Sequence, residues 1–403
     1  MWVLSIMNFL TQMNNKYIPP DYFNIDELLS DEQKIIRNSV RDWVSRSVVP
    51  IIDEAAQKHK FPLHLIREMG EIGVFGPFIP EKYGGAGLDK TSYGLIMTEL
   101  ERGDSAIRSA ASVQSSLVMY PIFHFGSEEQ RQKYLPKLAS GEIVGAFGLT
   151  EPNHGSDPGN METKVQDKGD HYILNGSKMW ITNAPIADIA VVWAKDENKK
   201  VIGLIVEKGM NGFTAPETIK KWSLRASVTG ELVFDNVCVP KENVLPNIEG
   251  LKGPLKCLNS ARYGIAWGAI GAAMDCYQTA LNYSKERKQF NKPISSFQLT
   301  QKKLAEMLTE ITKAQLITWR IGNLYDQGKA TFNQISMAKR NNVKIALDIA
   351  RESRQILGAM GITGDFPIMR HMMNLESVIT YEGTHDIHLL ITGFDITGEN
   401  AFN

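Results

Sequence analysis

Tyr172-Ile173-Leu174-Asn175-Gly176-Ser177-Lys178-Met179-Trp180-Ile181 is the stretch on which the fold turns. β-forming residues lie on both sides of an Asn-Gly pair. Asn-Gly suits a type I′ turn, so the pattern predicts a hairpin. Residues 189–194, 201–206 and 231–234 read as further strands. They are short and closely spaced, without intervening helices, which predicts an antiparallel barrel or sandwich over residues 145–250. A dinucleotide-binding βαβ unit is excluded, because no Gly-x-Gly-x-x-Gly follows a strand.

Outward from this region the period changes to that of helices. Upstream, Ser30-Asp31-Glu32-Gln33 and Ser127-Glu128-Glu129-Gln130 carry the cap serine and the glutamine three residues on of a capping box. Ile36, Val40, Trp43, Val44 and Val48 recur at helical spacing, and Pro50 falls near the end of that run. Helices are also predicted over 63–74 and 92–102, with Gly84, Gly85 and Gly87 marking a loop between them. Downstream, 255–286, 298–327 and 331–357 are long, amphipathic and joined by short loops, the pattern of an antiparallel bundle. The expected fold class is α+β and mostly α. An N-terminal helical domain (1–144) precedes an antiparallel β-barrel domain (145–250) and a C-terminal four-helix bundle (251–403).

The 403 residues exceed one ordinary core, consistent with that division. Hydrophobic content of 43% and charged content of 22% are those of a globular protein. A net charge of −1 gives no general attraction to nucleic acid or to anionic membranes, so anionic ligands must be met by local arginines. Cys238, Cys257 and Cys276 form no Cys-x-x-Cys pair, and neither a disulfide framework nor a metal site is expected. No apolar run is long enough for membrane insertion. The apolar start, Met1 to Met7, lacks a preceding basic region and makes a poor signal peptide, with Met7 an alternative initiator. Up to Arg37 the only basic residues are Lys16 and Lys34, against an Arg-rich presequence. A cytoplasmic location is expected in a bacterium, or the mitochondrial matrix in a eukaryote.

The chemistry is expected at Tyr381-Glu382-Gly383-Thr384-His385-Asp386. A carboxylate between an aromatic ring and a glycine, behind apolar Val378-Ile379, loses hydration; its pKa rises and it becomes a better base near neutral pH. A Glu-Gly pair alone is more often a helix end or turn. Five other motifs stand with it. They are Phe147-Gly148-Leu149-Thr150-Glu151-Pro152 with Gly155-Ser156-Asp157, Met179-Trp180-Ile181-Thr182-Asn183, Arg262-Tyr263-Gly264, Arg287-Lys288-Gln289-Phe290 and Gln355-Ile356-Leu357-Gly358-Ala359. In this order and spacing the chain, from about residue 25 to its end, resembles the acyl-CoA dehydrogenase family of flavoproteins. Arg108-Ser109, the run Ser112 to Met119, Arg340-Asn341-Asn342 and residues 380–388 are most similar to its glutaryl-CoA dehydrogenase branch. Asn291 stands where a glycine is usual, and Met360 where asparagine is frequent; asparagine also tolerates positive φ.

The resemblance implies FAD as cofactor, bound by Phe147, Leu149, Thr150, Gly155, Ser156, Trp180, Ile181, Thr182 and Thr384. Arg287 and Phe290 would meet its pyrophosphate end. Gln298, Gln355, Ile356, Leu357, Gly358 and Ala359 would come from a neighbouring subunit of a homotetramer. It implies Glu382 as the base that takes the α-proton of a thioester. Ser156, Leu255, Asn259, Arg262, Tyr381 and Gly383 would lie near the substrate. A glutaryl chain ends in a carboxylate whose desolvation is tolerable only beside a matched cation, which Arg108 with Ser109 would provide. Glu101 lies seven residues before Arg108, two turns away if the segment is helical, and with Tyr381 matches positions associated with the decarboxylating members. The activity implied is oxidation and decarboxylation of glutaryl-CoA to crotonyl-CoA and CO2, with electrons passed to electron-transferring flavoprotein. The alternatives are a dehydrogenase of simple short-chain acyl-CoA, a glutaryl-CoA enzyme that does not decarboxylate, and a flavin- or CoA-binding protein without redox turnover.

Overall fold

The computed structural model describes residues 17–401; the apolar start lies outside the described residues. Helix α1 (Asp31–Trp43) begins at the expected capping box, with Ser30 Oγ accepting from Gln33 N at 3.2 Å and Gln33 Oε1 from Ser30 N at 3.0 Å. Pro50 does not end this run. A π turn over Val44–Val48 intervenes, and α2 (Val49–Gln57) continues the helix with Pro50 in its first turn. Next come α3 (His64–Glu71) and α4 (Lys90–Gly103). Asp104, in extended backbone, separates α4 from α5 (Ser105–Ser112) and caps it, accepting from Ala106 N at 2.7 Å. A second π segment leads into α6 (Tyr120–Phe125), followed by α7 (Glu128–Ala139), which carries the capping box of Ser127 and Gln130.

The middle region is a seven-stranded curled sheet of β1 (Gly145–Gly148), β2 (Lys164–Asp167), β3 (His171–Thr182), β4 (Ile189–Lys195), β5 (Val201–Glu207), β6 (Phe213–Thr214) and β7 (Thr229–Pro240). Its order is β1-β4-β2-β3-β7-β6, with β5 also on β4. It corrects the expectation of a purely antiparallel barrel, because β1 and β2 both pair with β4 in parallel.

The hairpin expected at Asn175-Gly176 is likewise corrected. β3 runs through both residues, and Gly176, at φ +140°, sits in a bulge opposite β7. A side chain at 176 would meet the Thr163 backbone at 2.7 Å, so the glycine serves a close backbone approach. The reversal lies instead between β2 and β3, around Gly169 at φ +90°. A second irregularity of β3, between Lys178 and Ile181, places Trp180 at φ +63°.

The C-terminal third holds α8 (Lys252–Glu286), a small hairpin of β8 (Lys288–Gln289) and β9 (Lys292–Pro293), α9 (Gln298–Asp326), α10 (Phe332–Ile356), α11 (Ile368–Val378) and α12 (His385–Thr397). α8 packs along α10 and along α4, and α9 touches all three, so α8 belongs to both helical regions. One continuous core joins Leu100 of α4 to Ala261 and Ala266 of α8 and Ala338 of α10.

The α4–α8 contact is close because α8 presents glycine there. A Cβ at Gly271 would fall 1.9 Å from Thr98 O and 2.9 Å from Arg102 N, both backbone atoms that cannot rotate away. Gly271→Ala should therefore push the helices apart and lower stability by about 1–3 kcal/mol. Denaturant unfolding of parent and variant measures this, and equal midpoints would mean the contact can open without cost.

Candidate active site

The loop between α11 and α12 carries Glu382 at φ +53° and Gly383 at φ +95°. Thr384 ends it by capping α12, its hydroxyl accepting from Ile387 N at 3.2 Å. Three successive carbonyls of the loop are held. Lys339 Nζ donates to Tyr381 O at 2.9 Å and to Gly383 O at 2.8 Å. Arg262 Nε donates to Glu382 O at 2.8 Å, and its Nη1 to Asn259 Oδ1 at 3.2 Å. The Glu382 side chain is half-buried, and its Oε2 is enclosed without a hydrogen-bond partner. Desolvation pushes its carboxyl above the ordinary range, while Arg108, Lys339 and Arg262 pull the other way. The direction is the one the apolar flank of the hexapeptide predicts.

Lys339 was not evident as a site residue from sequence. Its signal is positional: it falls on the stripe of Ile335, Asn342 and Ala346 that α10 turns to the core, where a lysine is out of place. Burial pushes its ammonium down to about 7. His388, one turn into α12, is fully buried, and neither ring nitrogen has a partner. Burial, then Lys339 and Arg262, push it down to about 2, so it is neutral in the folded chain.

Arg108 is fully buried, as is Glu101. Its Nε donates to Glu101 Oε2 at 2.7 Å and its Nη2 to the Tyr381 hydroxyl, while Nη1 is buried without a partner. Ser109 Oγ lies 3.4 Å from the Tyr381 hydroxyl, and Ser105 Oγ donates to Glu101 Oε1 at 2.8 Å. Glu101 and Arg108 do not share one helix as expected. The chain breaks at Asp104, and the pair forms across that break. Burial pushes the Tyr381 hydroxyl up to about 12, so it serves Arg108 as a neutral group. The structure thus brings Glu101, Arg108, Ser109, Asn259, Arg262, Tyr381, Glu382 and Gly383 together. Leu255 is half-buried one turn before Asn259 on α8.

A second group lies along the sheet. Phe147 and Leu149 are buried, and Met179 N donates to Thr150 O at 2.9 Å, tying the loop after β1 to β3. Buried Lys178 donates to Glu151 Oε1 at 2.8 Å and Leu149 O at 3.2 Å. Glu151 also accepts from Thr163 N at 2.9 Å and from Glu162 N at 2.5 Å, which draws the following strand against the loop. Trp180 stands 57% exposed in left-handed backbone, beside buried Ile181 and half-buried Thr182. Gly155 and Ser156 are exposed. An indole rarely adopts this backbone, and here its face is left free for a flat partner.

The third group is on another surface. Phe290, 88% exposed, and Asn291 form the β8–β9 turn with φ +50° and +65°, so Asn291 supplies the positive φ where glycine is usual. Arg287 and Gln298 are exposed beside it. Gln355, held by Lys303 Nζ at 2.7 Å, leads through Ile356 and buried Leu357 to exposed Gly358 and Ala359. Among the described residues no hydrogen bond or ring contact joins this group to Trp180 or Glu382 within the chain.

Comparisons with known proteins agree over most of the chain. The profiles of the acyl-CoA dehydrogenase N-terminal, middle and C-terminal domains match residues 30–142, 146–237 and 249–395. The chain is 38% identical to an acyl-CoA dehydrogenase of Bacillus subtilis (strain 168) over 90% of this chain and 97% of that one. A crystal structure of a glutaryl-CoA dehydrogenase from Mycobacterium smegmatis in complex with FADH2 is 46% identical, with a TM-score of 0.94, covering 96% of this chain and 100% of that one. Butyryl-CoA dehydrogenase from Megasphaera elsdenii is 35% identical, with a TM-score of 0.88, covering 91% and 98%. FAD is accordingly the cofactor of this chain. The residues present suit it: a largely exposed indole at Trp180 and, two residues on, the Thr182 hydroxyl are groups a flavin ring can use.

No helix among the described residues is long and apolar enough to cross a membrane. Stability should depend on His388 in acid. Its folded-state pKa lies below the unfolded value, so the stability it contributes is present above about pH 6.5 and is lost as pH falls through the range down to about 2. The loss is at most about 1.4 kcal/mol per pH unit. His388→Gln should flatten the decline in urea midpoint between about pH 6.5 and 5. Equal slopes for parent and variant would show that His388 takes up its proton in the folded chain.

Proposed function

Because the chain belongs to the acyl-CoA dehydrogenase family, we propose that it oxidises glutaryl-CoA and removes its terminal carboxylate, giving crotonyl-CoA and CO2. The observation that carries this is Arg108 Nη1, a buried charged N–H without an acceptor, beside the residue that precedes Glu382. Such a group is costly unless something completes it, and a substrate carboxylate would do so. Ser109 and Tyr381, whose hydroxyls lie 3.4 Å apart beside Arg108, would add donors.

Glu382 takes the α-proton through its unpartnered Oε2. Its backbone N–H, in the peptide plane whose carbonyl, Tyr381 O, is held by Lys339, stabilises the enolate oxygen of the thioester. Bound FAD supplies a hydride acceptor at the β-carbon. Held by Arg108, the γ-carboxylate leaves as CO2 and its bonding electrons enter the dienolate. Glu382, now protonated, returns its proton to the γ-carbon. Trp180 and Thr182 would wall the flavin. Arg287, Phe290, Gln298 and residues 355–359 would complete the site of an adjoining subunit in a homotetramer. Exposed Phe290 and Leu299 support such a contact. Electron-transferring flavoprotein is the proposed acceptor. The division into segments 1–144, 145–250 and 251–403 is retained as the working domain layout.

One observation favours a second reading. Glu101 already balances the charge of Arg108, and Tyr381 takes another of its donors, so the pocket can close on itself around an uncharged short acyl chain. A panel of acyl-CoA substrates with product identification tests both. Crotonyl-CoA and CO2 from glutaryl-CoA support the first reading, and preference for butyryl-CoA the second.

Glu382→Gln should retain FAD yet reduce it about a hundredfold to ten-thousandfold more slowly, because an amide of the same size takes no proton. In the parent the rate should fall in acid, with a midpoint above the ordinary carboxylate range. Near-parental flavin bleaching by the variant would remove Glu382 as the base. Arg108→Met should shift the ratio of kcat/KM for glutaryl-CoA over butyryl-CoA downward by about a hundredfold or more, since an unpaired buried ion costs about 3–5 kcal/mol. An unmoved ratio would leave the generic short-chain activity.

A further inference from the structure

Lys339 is the one buried cation at the loop whose hydrogen bonds all go to backbone. Two donors of its ammonium are taken by the carbonyls on either side of Glu382, those of Tyr381 and Gly383. Arg262 takes the carbonyl between them. Three consecutive carbonyls can converge on two cations only because Glu382 and Gly383 both have positive φ. For glutamate this conformation is unfavourable and persists only where its surroundings impose it. Lys339 itself cannot drift, because one turn on, Asn342 Nδ2 donates to Ala266 O of α8 at 2.9 Å and locks α10 to α8.

The same ammonium is a charge. Glu382 is the opposite charge it feels most strongly, and Lys339 in turn is among the cations that favour ionised Glu382. Arg108 of α5 and Arg262 of α8 also face Glu382. Tyr93 of α4, Tyr381 of the loop and His388 of α12 do so as neutral groups. Arg262, Arg108, His385 and His388 are the other titratable groups around Lys339.

We propose that Lys339 is a positioning residue for the base, holding Glu382 in its left-handed conformation by gripping the two flanking carbonyls and supplying positive charge against which Glu382 ionises. This rests on Glu382 being the base. A neutral amine still has two N–H groups for the two carbonyls, so grip and charge are separable functions of one side chain.

The test uses the FAD-loaded enzyme and three variants. Lys339→Met removes grip and charge, Lys339→Gln keeps two donors without charge, and Lys339→Arg keeps charge. For Lys339→Met the single-turnover rate of flavin bleaching by glutaryl-CoA and butyryl-CoA should fall about a hundredfold with little change in KM, as expected for a displaced base. In Lys339→Met and Lys339→Gln the acid limb of the rate profile should move to higher pH by about one unit. Lys339→Arg should recover part of the rate and restore the limb.

A second readout needs no turnover. The folded-state pKa of Lys339, about 7, lies below its unfolded value, so parental stability should rise with pH between about 7 and 10.5, and Lys339→Met should lose that rise. A flavin-loaded Lys339→Gln or Lys339→Met variant with the parental pH profile, or with its whole loss in KM, overturns the proposal. Such a result alongside an inactive Glu382→Gln leaves the base assignment standing; an active Glu382→Gln removes both.

Discussion

Five charged side chains from four helices and a loop meet where water is largely excluded. Glu101 comes from α4, Arg108 from α5, Arg262 from α8, Lys339 from α10 and Glu382 from the loop. Removing charges from water is tolerable only if each finds partners of good geometry. The demand ties the helices to one another. Glu101 and Arg108 answer each other across the break at Asp104, whereas Arg262 and Lys339 spend their donors on loop carbonyls and on Asn259. While Lys339 holds its proton, three cations face two carboxylates, an excess of positive charge. The site is therefore built to receive negative charge, and an enolate oxygen or a substrate carboxylate is the species that would bring it.

Such an arrangement demands that the helices approach closely. Gly268 makes this plain, because a Cβ there would lie 2.1 Å from Glu101 Oε2. α8 contributes the glycine that admits Glu101, and six residues earlier contributes Arg262. One long helix thus sets the distance between the Arg108 pocket and the Glu382 loop. The shared core of α4, α8 and α10 follows from the same requirement.

Local signals in the sequence were reliable where the physics is local. The capping boxes at Ser30 and Ser127 form as written, since their partners lie three residues away. Long helices and most strands fall close to their predicted positions for the same reason. Asn175-Gly176 was misread because a type I′ turn and a strand bulge both require positive φ at glycine. What separates them is Thr163 pressed against the backbone, a neighbour remote in sequence. Parallel pairing of β1 and β2 with β4 is equally non-local and leaves no mark on four-residue strands. Within the site, the rise in the pKa of Glu382 could be read from its flanks. The end of the first helix near Arg102 could also be read, with Gly103-Asp104 as stop and cap, but not that Glu101 and Arg108 meet across it. Lys339 was legible in principle, as a lysine on a core stripe, yet a helical lysine defaults to solvent unless the stripe is counted.

Three residues of the candidate site stand in strained backbone. Trp180, Glu382 and Phe290 all have positive φ, and none is a residue type that favours it. Each is held by its own device: an irregularity of β3, two cations on the loop, and a two-residue turn with Asn291. The devices differ in strength. The turn at Phe290 is exposed and rests on local backbone alone, so it can adapt to a surface laid against it. Trp180 is pinned by the sheet on both sides but has an open face, which suits a rigid wall for a planar ring. Glu382 alone is held by buried charge, and charge responds to proton transfer. When Glu382 gains a proton, the attraction between it and Lys339 is lost while the grip on its flanking carbonyls remains. A carboxyl so held can change charge without losing its place, which is what the proposed transfer of one proton between two carbons requires.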